Sequence, residues 1–436
     1  MLKAKDNELL TRVCGDSAMG RLMRRYWIPV VQSAELESGG RMKRVRLFGE
    51  NLLAFRNGDG QPGLMGEFCP HRRASMYFGR NERSGVRCAF HGWAFDRGGN
   101  CVEMPNEPTG EDFCHKIRHT AYRCSDWGGV VFAYMGAAGD IPPALPEFEW
   151  ALVPAEHRFI SRRVQYCNYL QALENGTADS SHVSFLHAPL PAAQQALIAG
   201  DRSHVGLGQV AANTDTSPRF EVRRTQYGML VGARRDAGAG HHYWRVAQFI
   251  LPYWNMPPVD VGGDPIYHGH AWTPVDDEHC VNWSFSWHPQ RPLSETEKED
   301  LREGMGIHIC QYAPPTSSWY GDVRPRPTRD NDYEMDWEAH RTAKFCGIPG
   351  FAAQDQAMQE SQGAICDRTQ EHLGASDVAI IQLRKRLMDA AKHYADGSQA
   401  PESADGRLYR VRPASAILAR DSAWVEALGD RLIATH

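Results

Sequence analysis

Two short loops constrain this chain more than any other stretch: Cys69-Pro-His71 and, sixteen residues later, Cys88-Ala-Phe-His91. Each pairs a thiol with an imidazole, so together they offer two sulfur and two nitrogen ligands. Structural zinc draws on the same residue types but groups like with like, as C-x2–4-C and H-x3–5-H. Mixed loops instead give one ligand to each of two metals, which a tetrahedral zinc does not need. They match a [2Fe–2S] centre in which two Cys hold one iron and two His the other, a replacement that raises the reduction potential. Gly92-Trp93 directly after His91 fits the same reading. The stretch is an electron inlet.

The surrounding pattern is that of a small antiparallel β domain. From Met42, apolar residues recur with period two at Val45, Leu47, Leu52, Leu53 and Phe55, and Asn57-Gly-Asp-Gly marks a tight turn. Gly128 to Met135 reads as its last buried strand, and the Gly/Pro-rich stretch from Gly136 to Pro146 as a domain boundary. Before it, residues 7–13 and 19–27 have helical spacing and suit a docking helix. After about residue 155, strands and helices mix. Tyr227 to Arg235 and His242 to Leu251 predict a hairpin, while 292–304, 351–373 and 376–394 predict helices. The polar, Gly/Pro-rich stretches 188–216 and 314–333 suit lids or subunit contacts. The fold class expected is α+β, divided as 1–26 (helical segment), 27–150 (cluster domain) and 151–436 (catalytic domain).

A chain of 436 residues with 48 basic and 53 acidic side chains, and no long run of one sign, points to no nucleic-acid or membrane partner. The charged N-terminus does not suit a signal peptide, and no run of about eighteen apolar residues occurs, so a cytoplasmic location is expected. The nine Cys outside the two loops show no framework spacing and fit reduced thiols.

A cluster alone moves electrons, so a second site is needed for chemistry. In Glu174-Asn175-Gly-Thr-Ala-Asp179-Ser-Ser-His182-Val-Ser-Phe-Leu-His187, two His stand five positions apart. On a regular helix they would splay by roughly 140°, so a helix that ends or distorts between them is required to bring both onto one metal. Two His and one carboxylate make the facial triad of non-haem iron(II) oxygenases. The carboxylate must be distant in sequence. Asp355, expected to open a helix lying against the His-bearing one, is favoured over Asp330, Asp332 and Glu360.

Taken together, Cys69-x-His71, Cys88-x-x-His91 and Asp179-x-x-His182-x4-His187 resemble the terminal oxygenase α subunit of Rieske non-haem iron oxygenases. Asn7-Glu-Leu-Leu-Thr-Arg-Val, Cys69-Pro-His-Arg-Arg-Ala and Gln362-Gly-Ala-Ile-Cys-Asp-Arg-Thr-Gln-Glu-His-Leu-Gly are similar to its phthalate 4,5-dioxygenase branch. That branch also acts on phenoxybenzoate, chlorobenzoate and isophthalate. The resemblance implies a Rieske domain followed by a helix-grip catalytic domain, with iron held by His182, His187 and Asp355. It implies one [2Fe–2S] cluster and one mononuclear Fe(II) per chain, supplied by NADH through a separate flavin and iron–sulfur reductase. It further implies a head-to-tail homotrimer, or two stacked as a hexamer. There Asp179, with Asn175 beside it as a second candidate, links cluster ligand His91 of one subunit to His182 of the next.

The reaction implied uses O2 to cis-dihydroxylate a small aromatic carboxylate, with monooxygenation or O-demethylation as the alternative; a bare electron carrier is the remaining class. A carboxylate in an apolar pocket calls for arginine, whose planar fork stays charged when buried. Arg245, on the same side of its strand as Ala247 and Phe249, is the first candidate; Arg234 and Arg202 follow.

Overall fold

The computed structural model describes residues 1–137, 139–190, 207–259, 263–394 and 405–436. Among them, three antiparallel sheets organise the chain. The first has the order Trp27–Gln32, Val130–Tyr134, Ala121–Trp127, Pro62–Gly66, Glu50–Arg56, Lys43–Leu47. The expected alternation holds on Lys43–Leu47, with Val45 and Leu47 buried, whereas on Glu50–Arg56 Leu52 to Phe55 are all buried, Leu52 and Ala54 in one core and Leu53 and Phe55 in another. Strand Val130–Tyr134 starts after Gly128 and Gly129, both at positive φ; a Cβ on Gly128 would lie 2.5 Å from that of Ala151. A second, four-stranded sheet (Arg80–Asn81, Gly85–Arg87, Ala94–Asp96, Cys101–Glu103) covers one end of the first.

The third sheet runs Arg158–Gln165, Cys280–Trp287, Tyr267–Pro274, Trp254–Met256, His241–Ile250, Gly228–Asp236, Arg219–Arg224, with Ala414–Ala419 pairing along His241–Val246. The predicted hairpin is present, its turn closed by Gly238, Ala239 and Gly240 at positive φ. Helix Tyr169–Ala178 lies on this sheet and packs beside helix Phe351–Ser361. The long helix Val378–Tyr394 receives the N-terminal helices Ala4–Thr11 and Ala18–Met23. No helix among the described residues is long and apolar enough to cross a membrane.

Three expectations are corrected in detail. The helix predicted over 351–373 stops at Ser361, because Gly363 turns the chain at φ +91°. The helix predicted over 292–304 shortens to Glu295–Arg302, fixed at its start by Ser294 and Glu297, each side chain accepting the other's backbone N–H. Segment 314–333 is no lid: Asp322 pairs with Lys43, the Ser317 carbonyl accepts from Arg44 and Tyr320 donates to the Arg46 carbonyl, so it buttresses strand Lys43–Leu47. At the Gly/Pro stretch 136–146 the chain leaves the first sheet, yet the core continues. Phe132, Trp150, Trp254 and Phe285 stack with centroids 4.0–6.5 Å apart and join both large sheets. Much of 188–216 lies outside the described residues, which resume with helix Leu207–Thr214.

Helix Tyr169–Ala178 is anchored by charge. Glu174 is buried between Arg368 (2.9 Å) and Arg384 (2.7 Å), and Arg384 also pairs with Glu371 (2.6 Å). Burial alone would raise the Glu174 carboxyl, but the two guanidiniums hold it below its ordinary value. The charge is matched inside the core, which fixes the helix end that follows.

Candidate metal centres

The two Cys/His loops are conformational copies. In the first, Cys69 N–H donates to the Ala74 carbonyl and Arg73 N–H to the Cys69 carbonyl, both 2.9 Å. In the second, Cys88 N–H donates to the Trp93 carbonyl (2.8 Å) and Gly92 N–H to the Cys88 carbonyl (3.1 Å). The fifth residue of each loop is left-handed, Arg73 at φ 63° and Gly92 at φ 79°. A Cβ at Gly92 would come within 2.6 Å of Pro105, so the second loop needs glycine.

Ligands pair by type across the loops. The His71 and His91 rings meet edge-on at 4.6 Å, and His71 stacks on Trp93 at 4.5 Å. Cys69 and Cys88 are both buried; burial first, and then the facing Cys88 thiol, push the Cys69 thiol up to about 11. Two thiolates here therefore require a cation. His71 Nδ1 is buried without a hydrogen-bond partner, an orphan that a metal would satisfy. The four side chains do not converge on one point, as zinc would need: among the described residues, the only group of three or more whose ligand atoms do so is elsewhere.

That group is His182, His187 and Asp355, with ligand atoms all within 4.8 Å of one another. Helix Tyr169–Ala178 ends before both His rather than between them. Asp179 leaves the helical region and its Oδ1 accepts from the N–H groups of Ser181 (2.7 Å) and His182 (3.2 Å), starting the short turn His182–Ser184. Asp355 sits in the second turn of its helix, not at its opening. Its Oδ1 lies 3.3 Å from His187 Nε2 and 3.7 Å from His182 Nε2, and it is buried with no hydrogen-bond partner. Burial would raise the Asp355 carboxyl, but the imidazoles, His187 foremost, hold it below its ordinary value. A buried carboxylate oxygen between two ring nitrogens suits a divalent cation.

The outer atoms of both rings are also fixed. His187 Nδ1 lies 2.6 Å from Gln354 Oε1, whose amide is oriented by its Nε2 donating to the Ile348 carbonyl (2.8 Å). The proton therefore sits on Nδ1 and leaves Nε2 free as ligand. His182 Nδ1 lies 3.4 Å from Asp179 Oδ2 and 3.3 Å from Asn175 Nδ2. Burial lowers the His182 pKa, but Asp179 and Asp355 outweigh it and the value is raised. Of the alternative carboxylates, Asp330 and Asp332 are exposed, and Glu360 is committed to Tyr166 N–H and Tyr333 Oη.

Comparison with known proteins fits both centres. Residues 26–120 match the Rieske [2Fe-2S] domain, and residues 133–431 match the family described as LigXa C-terminal domain like. The phthalate 4,5-dioxygenase oxygenase subunit of Pseudomonas putida is 38% identical over 97% of this chain and 94% of its own length. The chain belongs to the Rieske non-haem iron oxygenases. The 3-chlorobenzoate-3,4-dioxygenase oxygenase subunit of Comamonas testosteroni is 36% identical over 92% of this chain and 91% of its own. Dicamba monooxygenase bound to dicamba has the same fold, with a TM-score of 0.57 at 16% identity, covering 86% of this chain and 99% of that one. As a Rieske oxygenase the chain carries a Rieske cluster and a mononuclear iron, and works with a reductase or ferredoxin electron donor in an assembly of oxygenase subunits.

In this oxygenase the triad opens onto a cavity of about 660 Å3 floored by the large sheet. Arg245 lines it with Ala247, Ala233, Val231 and Phe220. Its Nε is buried without a partner, and no carboxylate among the described residues pairs with it. Arg234 faces the other way: it bonds His242 (2.7 Å), lies near Glu221 and covers Trp244, so it does not reach the cavity. Arg202 lies outside the described residues. Sequence reasoning missed Arg163, buried in the cavity wall and bonded to Asn282 and Gln356, and Arg235. Arg235 clamps the loop after Asp179, donating to the Ser180 carbonyl (2.6 Å), Ser184 Oγ and the Asp215 carbonyl. Strand alternation could have found it, since 233, 235 and 245 share one face.

Proposed function

We propose that this oxygenase subunit cis-dihydroxylates a small aromatic carboxylate of the phthalate, isophthalate, chlorobenzoate or phenoxybenzoate kind. The observation carrying this reading is Arg245: a cation with no carboxylate partner among the described residues, beside the triad, on an otherwise apolar stretch of cavity floor. A planar fork there binds a carboxylate through two hydrogen bonds and leaves the ring against Ala247, Val231 and Phe220. When bound, the iron is the site of O2 activation and the cluster supplies electrons singly. His182, His187 and Asp355 hold the iron, and Cys69, His71, Cys88 and His91 the cluster. The experiment is turnover with an NADH-dependent flavin and iron–sulfur reductase under labelled O2. Two labelled atoms in a dihydrodiol are expected; one, or loss of a methyl, would replace the reading with monooxygenation.

The same reading assigns an assembly. Phe78 and Phe90 are exposed beside the cluster loops, and Phe185, Phe345 and Met358 are exposed around Asp179. Two separate apolar rims, one per metal site, suit a head-to-tail trimer, alone or stacked as a hexamer, in which each cluster His meets the next subunit's Asp179. The division 1–26, 27–150 and 151–436 and a cytoplasmic location, where the free thiols stay reduced, belong to this proposal.

A further inference from the structure

The cavity floor is chemically split, and the strand register shows where. On the face carrying Arg245, its neighbours are Ala233 and Phe220, and the next row is Ala247, Val231 and Val222. Where it lines the cavity this half is apolar apart from Arg245, since Arg235 on the same face is turned to the Ser180 loop. Across strand Trp254–Met256, the same face carries His268 beside Ser286 and His270 beside Ser284 and Ser161. His268 and His270 both line the cavity. Desolvation pushes both imidazoles down, to about 4 and about 3. They are neutral hydrogen-bonding groups.

His268 is aimed by a chain of bonds running along the same sheet face. Its Nδ1 lies 2.8 Å from Ser286 Oγ, which lies 2.7 Å from His308 Nε2, and His308 Nδ1 lies 2.6 Å from Ser161 Oγ. Each hydroxyl has one proton and a neutral imidazole has one, so the chain runs in a single direction at a time. With Ser161 donating, each group donates to the next and His268 is left with Nε2–H as its remaining donor; with Ser161 accepting, the chain reverses and Nε2 is an acceptor. With its Nδ1 taken by Ser286, Nε2 is the ring atom left for the cavity. Asn255 stands between Phe249 and His270 in one row of this face, and Arg245 and His268 lie beyond it on the flanking strands, both lining the one cavity, so a single bound molecule can meet both.

We propose that His268 is a substrate-recognition residue that donates through Nε2 to a second polar substituent of an aromatic acid whose carboxylate lies on Arg245. This rests on the aromatic-acid reading above and narrows it: the substrate class is a benzoate carrying a second oxygen acceptor, a hydroxyl or another carboxylate. Ser286 and His308 are positioning residues. The test is calorimetric binding of benzoate, 3-hydroxybenzoate, isophthalate and terephthalate to the fully loaded enzyme, in wild type, His268→Phe and His268→Gln. Iron content and cluster absorbance are checked on each. Wild type is expected to bind at least one disubstituted acid about tenfold more tightly than benzoate. His268→Phe should erase that ratio and His268→Gln restore part of it, and the acid affected identifies the acceptor. An unchanged ratio in His268→Phe, or an equal loss for all four acids, would overturn the proposal while leaving aromatic acids as ligands. Binding of none of the four, nor of chlorobenzoates or phenoxybenzoates, would overturn the broader reading with it.

Discussion

The two Cys/His loops proposed to hold the cluster and the triad proposed to hold the iron solve the same problem, keeping candidate metal ligands still, at opposite ranges of sequence. Each cluster loop closes on itself through two backbone hydrogen bonds and a left-handed residue, so six residues determine where its Cys and His stand. The triad depends on a helix end and a second helix that meet across the fold: His187 and its partner Gln354 are 167 residues apart. Their placement rests on packing, on the Glu174 charge network and on Arg235 clamping the intervening loop. The local site should therefore survive damage to the distant one, and the distant one should be sensitive to single side chains.

The hardest test of that independence is Asp355→Ala. Removing the triad's only carboxylate should abolish mononuclear iron binding and turnover while the Rieske absorbance stays intact, taking iron from about three to about two per chain. Metal analysis with the visible spectrum decides it. Loss of both centres would mean that the two sites fold as one unit, and unchanged iron would move the third ligand elsewhere.

The next largest effect joins the sites instead of separating them. Asp179→Asn keeps the size of the side chain but removes the charge beside His182 Nδ1, and turnover should fall by roughly a hundredfold with both centres loaded. Mixing it with a cluster-less Cys88→Ser chain sharpens the point. If electrons pass between subunits, mixed assemblies recover activity that neither parent has, because a Cys88→Ser subunit retains its own Asp179 and iron site. Assemblies with no recovered activity would place the transfer within one chain.

This contrast also explains what could be read in advance. Cys69, His71, Cys88 and His91 were legible because their geometry is local, and strand Lys43–Leu47 because only one of its faces is buried, whereas Leu52 to Phe55 are buried on both faces of the next strand. His182 and His187 were legible as a pair, but the helix end before them was not, because it depends on Asp179 accepting two backbone N–H groups. Asp355 was favoured over Asp330, Asp332 and Glu360 by its expected helix, a choice the family pattern strengthened; in the fold, exposure removes the first two and two hydrogen bonds occupy the third. Arg234 was a candidate and its neighbour Arg235 was not considered; the residue type is the same, and only the parity set by pairing with Trp244 and Tyr243 separates outward from inward. His268 and His270, and Ser284 and Ser286, alternate along two consecutive strands, but that spacing does not say what they face; Ser161 and His308 join them only through the fold.

The smallest predicted effect probes the tautomer of His187. A neutral imidazole can place its proton on either nitrogen, and only the Nδ1–H form leaves Nε2 able to bind metal. Gln354 Oε1, 2.6 Å away, selects that form because its own amide is turned by the bond to the Ile348 carbonyl. Gln354→Leu removes the selection while filling a similar volume, so iron affinity should drop by about tenfold to a hundredfold. Gln354→Glu supplies an acceptor again and should bind iron at least as tightly as the native residue. Competition against a chelator measures both, with the Rieske absorbance as internal control, which the local character of the cluster loops requires to be the same in all three proteins. Equal iron affinity in the Leu variant would show that packing alone orients His187, and the contrast between the two sites would then be one of sequence distance rather than of dependence on single side chains.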